Sequence, residues 1–476
     1  MILYNMRIAM KSLKRSPILS TVIVGGVMLG ITVSTIFSTI RHSFAKDPIP
    51  HKSSALHYIR LDSWDPLRPY VPEQPTIPPT QITYRDMTAL MKSTIPVRQS
   101  GMFKSNLWVS LPGGMPGGHG AGGTAAAGSA PDAGPPPDSA KTAASGRAPA
   151  IRPERVETRL CFADFFTMFE VPFRYGSGWD RKADTDAAQV VVLSEEENEK
   201  LFGGANSVGR TIRIMDRDFK VIGVIDHWRP SVRFYDLTQA FLSAPEKLFI
   251  PFTLMPPMQI GTGGNTDGWK SGPSPGFEGF LASETCWLQF WVELPTEEKV
   301  HEYEDFLTAY VMEQKKAGRF GRPLNNRVTP VLAWMAEQGV VPNETSAMAV
   351  VSLLFLAVCS LNLTGLLLGK FLARAPEVGV RRALGARRID IFMQHLVECE
   401  IVAVIGGVLG LLISLGGLKI LNKWMQVVLN RGDLFRIDLP MTLLAIGLSL
   451  LAGFIAGVYP AWRICRIQPA VHLKVQ

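Results

Sequence analysis

Four stretches of this chain run for membrane-spanning length without one charged residue: 17–40, 346–369, 401–418 and 439–462. A helix rises about 1.5 Å per residue, so about 20 apolar residues cross a bilayer core about 30 Å thick. The third run is the shortest and is expected to extend into its less polar flanks. A soluble protein buries an occasional helix of this kind; four of them predict a membrane protein. The expected spans are 17–40, 346–370, 396–420 and 439–462, with the long segment 41–345 between the first and second. Ser43-Phe44-Ala45 resembles a signal-peptide cleavage site. The apolar run before it exceeds the roughly 7–15 residues of a signal core, so it reads as a retained anchor.

Basic residues give the orientation. Arg7, Lys11, Lys14 and Arg15 precede the first span, and Arg374, Arg381, Arg382, Arg387 and Arg388 separate the second from the third. Arg463, Arg466 and Lys474 follow the fourth, whereas the 421–438 loop carries only Lys423, Arg431 and Arg436, offset by Asp433 and Asp438. The positive-inside rule places both termini, the 371–395 loop and the 463–476 tail in the cytoplasm. Segment 41–345 then lies outside the cytoplasm, as does the short loop 421–438. The formal charge of +8 therefore reports topology, and nucleic acid is not an expected partner. In 1–16, Ile2, Met6, Ala9, Met10 and Leu13 share a helical face opposite Arg7, Lys11 and Lys14. That pattern suits a helix lying on the inner membrane surface, or simply a basic topology tail.

The outer segment begins Pro-rich, and 112–150 is mostly Gly, Ala, Pro and Ser. So few large apolar residues cannot offset chain ordering, so 112–150 is expected to be a disordered insertion. After it the pattern is α/β. Val190-Val191-Val192-Leu193 reads as a buried strand, followed by a capping box of Ser194 with Glu197. Ile212–Met215 and Phe219–Ile225 form a hairpin around Asp216-Arg217-Asp218. Cys286–Leu294 alternates like a strand, and Val300, Tyr303, Phe306, Leu307, Tyr310 and Val311 mark one face of a helix.

No HExxH or tight His/Asp/Glu cluster occurs, so neither catalysis nor a metal site is expected. His227 beside Asp226 reads as an exposed or structural pair. Trp64, Trp228, Trp287 and Trp291 suit a core, or else an apolar binding surface. Cys161 and Cys286 leave a disulfide open in an oxidising compartment.

The most informative string is Glu377-Val378-Gly379-Val380-Arg381-Arg382-Ala383-Leu384-Gly385-Ala386. Pro376 is expected to start a turn, Gly379 to permit a tight change of direction, and Gly385 to stop a basic helix end. Its arginines suit anionic lipid, a topology-fixing role or an acidic groove on a partner. Glu398 and Glu400 sit at the inner end of the third span, where a bare carboxylate is costly, and are expected to pair with nearby arginines. Gly26/Gly30, Gly406/Gly410 and Gly453/Gly457 each read GxxxG, for packing within one chain or for dimerisation.

The 377–386 string resembles the E-x-G-(apolar)-R-(R/K)-A-(apolar)-G-A signature of MacB/FtsX-type ABC permeases. Gln394-His395-Leu396-Val397-Glu398 with the glycines at 406, 407 and 410 resembles the family's third span. Tyr459-Pro460-Ala461-Trp462-Arg463 and Pro469–Lys474 resemble its C-terminal ending. V-V-V-L-S, L-F-G-G, V-G-R-T-I-R-I and F-K-V-I-G-V-I-D resemble a MacB-type periplasmic core.

The resemblance implies an α-helical membrane protein of four transmembrane helices in a 1+3 arrangement, with a large α/β periplasmic domain between helices 1 and 2. It implies a bacterial inner-membrane permease whose 371–395 coupling helix rests on a cytoplasmic ABC ATPase dimer. Glu377, Gly379, Arg381, Arg382, Ala383 and Gly385 are the coupling candidates. No G-x-x-x-x-G-K-(S/T) occurs in the chain, so ATP and Mg are expected on a partner ATPase and no cofactor on this chain. A second permease copy or paralogue, membrane lipid and a periplasmic adaptor or envelope protein are the further implied partners. The implied activity is mechanotransmission: ATP-driven motion of the outer domain that exports or extracts an amphiphile or peptide. Lipoprotein release, or control of a cell-wall hydrolase without transport, are the alternatives within the same fold.

Overall fold

The computed structural model describes residues 16–111, 153–238, 241–429 and 431–466. The surface helix expected in 2–13, the 112–150 tract and the 469–474 ending lie outside the described residues. Two compact units emerge. One comprises Met1–Pro48, Pro230–Ala244 and Met335–Gln476; the other comprises Ile49–Arg229 and Pro245–Trp334. Residues 230–244 group with the long helices although they lie inside the stretch 41–345. Sequence gave no sign of this excursion.

The chain opens with α1 (Pro17–Ala45) and then enters the sheet unit. Its described strands are β1 (Leu56–Arg60), β2 (Ile82–Thr83), β3 (Arg98–Ser110), β4 (Glu154–Cys161), β5 (Phe173–Gly176), β6 (Val190–Leu193), β7 (Thr211–Ile214), β8 (Arg217–Ile225), β9 (Leu248–Pro251), β10 (Cys286–Glu293) and β11 (Arg327–Pro330). They join in the order β11-β1-β10-β3-β4-β9-β6-β8-β5, with β2 on β10 and β7 bridging β3 and β8. Most neighbours are antiparallel; β4 with β9 and β6 with β8 run parallel.

Local sequence explains several elements. Between β6 and α2 (Glu195–Phe202), the Ser194 hydroxyl accepts from the Glu197 N–H at 3.2 Å. The reciprocal arm of the capping box is missing: the Glu197 carboxylate is buried without a hydrogen-bond partner, and burial pushes its pKa up. In the β7–β8 hairpin Ile214 faces Arg217, so the turn is Met215-Asp216, one residue earlier than expected. Met215 takes φ 54°, the left-handed conformation that two-residue hairpin turns demand. β10 departs from the alternation read in sequence, since all eight of its residues are buried. Phe290 and Val292 enter a core shared with Tyr303, Leu307 and Val311 of α3 (Glu297–Lys316). Trp291 joins Tyr58, Trp334 and Phe169 in an aromatic cluster. A strand buried on both faces loses its polar alternation.

Cys161 and Cys286 are both buried and unbridged. Their strands flank β3 on opposite sides, which separates them by two strand spacings, about 9.5 Å. Disulfide geometry needs Cα atoms within about 7 Å, so the pairing left open by the sequence is excluded.

The helical unit continues with α4 (Asn343–Leu372), α5 (Ala375–Ala383), α6 (Arg388–Leu429) and α7 (Leu439–Cys465). Helices α1, α4, α6 and α7 are long and apolar enough to cross a membrane. Each outruns its uncharged stretch. α6 does so most, starting inside the expected 371–395 coupling segment and ending inside the expected 421–438 loop. Ile23, Val27, Ile31, Leu356, Leu363, Val402 and Ala452 pack between the helices. Val350, Leu354, Leu361, Leu412 and Leu443 point outward. Helices apolar on all sides fit lipid surroundings.

The GxxxG glycines face neighbouring helices of the same chain. A Cβ on Gly30 would meet Leu356 at 2.7 Å, and one on Gly406 would meet Val27 at 2.8 Å. On Gly410 it would meet the Met28 carbonyl at 2.8 Å, on Gly453 Ala403 at 2.5 Å, and on Gly457 Cys399 at 2.7 Å. Small residues let backbones approach, and hydroxyls then reach across. Thr32 Oγ1 donates to the Gly410 carbonyl at 3.2 Å and Ser34 Oγ to that of Ser352 at 2.9 Å.

Candidate coupling site

The basic string after α4 folds as a short helix and a turn. Pro376 lies in the first turn of α5, where its missing N–H costs nothing. Glu377 also lies in the first turn, with Arg381 and Arg382 in the last, each sign where the helix dipole favours it. Gly385 takes φ 100° and ends the helix as expected. Gly379 does not turn the chain. It is a buried position inside α5, where a small residue lets the helix pack closely.

The candidates differ in where their side chains go. Arg381 donates to Glu377 Oε1 at 2.6 Å and to Gln394 Oε1 on α6 at 3.1 Å. Arg382 donates to the Cys465 carbonyl at the end of α7, at 3.3 Å. These two arginines therefore tie α5 to α6 and α7. Ala383, Arg387 and Arg388 are exposed, together with Val380, Leu384 and Ile389; Leu384 is 83% exposed. The result is a compact, arginine-flanked apolar knob on a braced helix.

On either side of α5 in the chain, α4 and α6 share a buried charge cluster. Glu398 meets Lys370 at 2.6 Å, Arg374 at 3.7 Å and His395 at 3.8 Å. The expected arginine partner is present in Arg374, but the short contact is Lys370. Sequence reasoning missed Lys370 although it directly follows the uncharged run 346–369, the mirror image of Glu398 preceding 401–418. Glu400 departs from expectation. It has no ion pair among the described residues; its Oε2 is buried without a hydrogen bond and lies against Gly453 of α7.

In the sheet unit, a cavity of about 570 Å³ is lined by Gln99, Phe162, Asp164, Arg181 and Asp184 among others. Gln99 Nε2 donates to the Met91 and Ser93 carbonyls, both at 2.9 Å, and shapes its wall. Arg181 donates to Asp164 at 2.8 Å. Burial lifts Asp184 to about 6, against bonds from the Ala163 N–H and the Trp179 indole. Such a lining offers both donors and acceptors beside an aromatic face. His227 lies 3.4 Å from Glu195, and Trp287 and Trp291 are core residues. Among the described residues no group of three His, Cys, Asp or Glu could hold a metal ion.

Comparison with known proteins supplies the family. Residues 20–309 match the MacB-like periplasmic core domain and residues 349–469 the FtsX-like permease C-terminal region. The pyoverdine export ATP-binding/permease protein PvdT of Pseudomonas aeruginosa is 25% identical over 66% of this chain and 41% of its own length. The macrolide export ATP-binding/permease protein MacB of Syntrophobacter fumaroxidans is 24% identical over 66% of this chain and 46% of its own. The chain thus spans less than half the length of these curated relatives. The periplasmic region of MacB from Actinobacillus actinomycetemcomitans aligns at 12% identity over 60% of this chain and 94% of that one. Its TM-score of 0.34 is too low to bear on the fold. With one model covering more than half of the sequence and the second covering the C-terminal helices, the chain belongs to the MacB/FtsX family of ABC-transporter permeases, membrane proteins with a periplasmic domain.

Proposed function

We propose that this chain is the permease subunit of an exporter whose ATPase is a separate cytoplasmic polypeptide. In this reading α1, α4, α6 and α7 cross the bacterial inner membrane in a 1+3 arrangement, with the sheet unit in the periplasm. Two permease subunits pair with two ATPase subunits, which hold ATP and Mg. ATP binding draws the cytoplasmic helix ends together, and the outer domain moves to expel or extract an amphiphile or peptide. The export named for PvdT and MacB agrees with that direction.

The observation that carries the reading is the braced knob at α5. A surface that transmits force must be stiff behind and sticky in front. Here Lys370–Glu398 and the Arg381–Gln394 and Arg382–Cys465 bonds supply stiffness. Exposed Val380, Leu384 and Ile389, with the exposed Arg387 and Arg388, supply an apolar contact with positive charge beside it. Interfaces draw most of their energy from a few such anchors. Leu384→Glu with Arg388→Glu leaves the internal bonds in place, so the variant inserts normally but loses its ATPase in detergent pull-downs. Full ATPase recovery with the variant would remove α5 from the coupling role.

A further inference from the structure

Arg431 sits in the short link between α6 and α7, yet it is only 2% exposed. Its Nη2 donates to the Pro230 carbonyl at 2.9 Å, and its Nη1 to those of Leu242 at 3.3 Å and Ser231 at 3.4 Å. These carbonyls belong to the excursion Pro230–Ala244, which leaves the strands after β8 and returns before β9. One guanidinium thus grips residues from both ends of the excursion. Only arginine offers five donors in a fixed fork suited to several carbonyls at once.

The grip is firm on both sides. Asn422 of α6 exchanges two hydrogen bonds with the Phe435 backbone, at 2.8 and 3.1 Å. Phe435 stands edge-on to Phe44 of α1 at 5.7 Å, and His42 meets Asp438 at 3.1 Å. On the other side, the Arg233 N–H donates to the Phe241 carbonyl at 2.8 Å, and Val232, Phe234, Tyr235 and Leu237 are buried. Just beyond the excursion, Glu246 pairs with Arg159 of β4 with neither side chain exposed. Arg229 donates to Glu196 of α2 at 3.3 Å.

We infer that Arg431 is a positioning residue for energy coupling, through which α6 and α7 pull on the sheet unit by way of 230–244. The chain passes between 230–244 and the strands at Arg229/Pro230 and Ala244/Pro245, besides its crossings after Pro48 and before Met335. This inference rests on the permease reading proposed above.

The test is hydrogen–deuterium exchange on the full chain co-purified with its ATPase in detergent, with and without a non-hydrolysable ATP analogue and Mg. Arg431→Ala is expected to speed exchange in 230–244 at least tenfold while the protection of α1, α4, α6 and α7 holds. Nucleotide is expected to change protection in 245–251 in the wild type but not in Arg431→Ala. Arg431→Lys, which keeps the charge without the fork, is expected to fall between them and carries the test if the alanine variant fails to fold. Equal nucleotide responses in wild type and variants would overturn the inference while leaving the permease reading intact. Absence of any nucleotide response in the wild type would overturn both.

Discussion

Lys370 and Glu398 meet 2.6 Å apart with both side chains only 2% exposed, joining the end of α4 to the first turns of α6. Arg374 and His395 stand by as secondary partners of the same carboxylate. The pair ties α4, which leads into α5, to α6, which follows it. Desolvating two charges is costly, and the pair persists because each neutralises the other.

Removing one partner should therefore hurt more than removing both. Lys370→Ala is expected to destabilise the helical unit by about 3 kcal/mol, with Arg374 offsetting part of the exposed cost. Lys370→Met with Glu398→Gln should recover most of that loss. Thermal unfolding in detergent reads the difference; an additive double mutant would show that the two side chains do not act as a pair.

Close helix approach makes a second prediction. Valine at Gly410 would press against the Met28 carbonyl and Ile31, whereas Gly416 has nothing within 4 Å of a Cβ. Gly410→Val should cost about 1–3 kcal/mol through overpacking of α1 against α6. Gly416→Val should leave the unfolding midpoint almost unchanged. Equal effects at both positions would contradict the packing described.

The sheet unit should carry a pH signature from Asp184. Burial raises its pKa to about 6, so between the ordinary carboxylate range and 6 the folded state holds a proton that the unfolded state has released. Stability from this group is greatest in acid and falls as pH rises from about 4 to about 6, by roughly 3 kcal/mol. Asp184→Asn removes that step. The wild-type-minus-variant stability difference, measured from pH 4 to 7, should shift by this amount; parallel curves would contradict it.

Cys161 and Cys286 should behave as inert thiols. Burial pushes both pKa values upward, Cys161 well above the usual range. Thiolates are the reactive form. Neither should label with maleimide before denaturation, and reduction should not change gel mobility. A mobility shift on reduction that is lost in Cys161→Ser would contradict the strand separation described.

The parts legible in sequence were those set by local patterning. Uncharged runs marked the four described helices that are long and apolar enough to cross a membrane, and Ser194, the β7–β8 hairpin and Gly385 marked starts, turns and stops. Features set by distant partners were not legible. Glu398 looked like a charge in search of arginines because Lys370 lies a whole turn-and-helix away in sequence. Nothing local in 230–244 shows that it leaves the strands, since the signal is Arg431, some two hundred residues later. The reciprocal arm at Glu197 failed for the opposite reason: the motif was present, but burial left its carboxylate without a partner.

The most direct test of the account is purification of the tagged full chain in mild detergent, with identification of the proteins that accompany it. An ABC ATPase recovered in about equal amount is the predicted result, and Leu384→Glu with Arg388→Glu should release it. Recovery of the chain without any ATPase, even with a non-hydrolysable ATP analogue present, would contradict the proposal that this permease works by borrowing one.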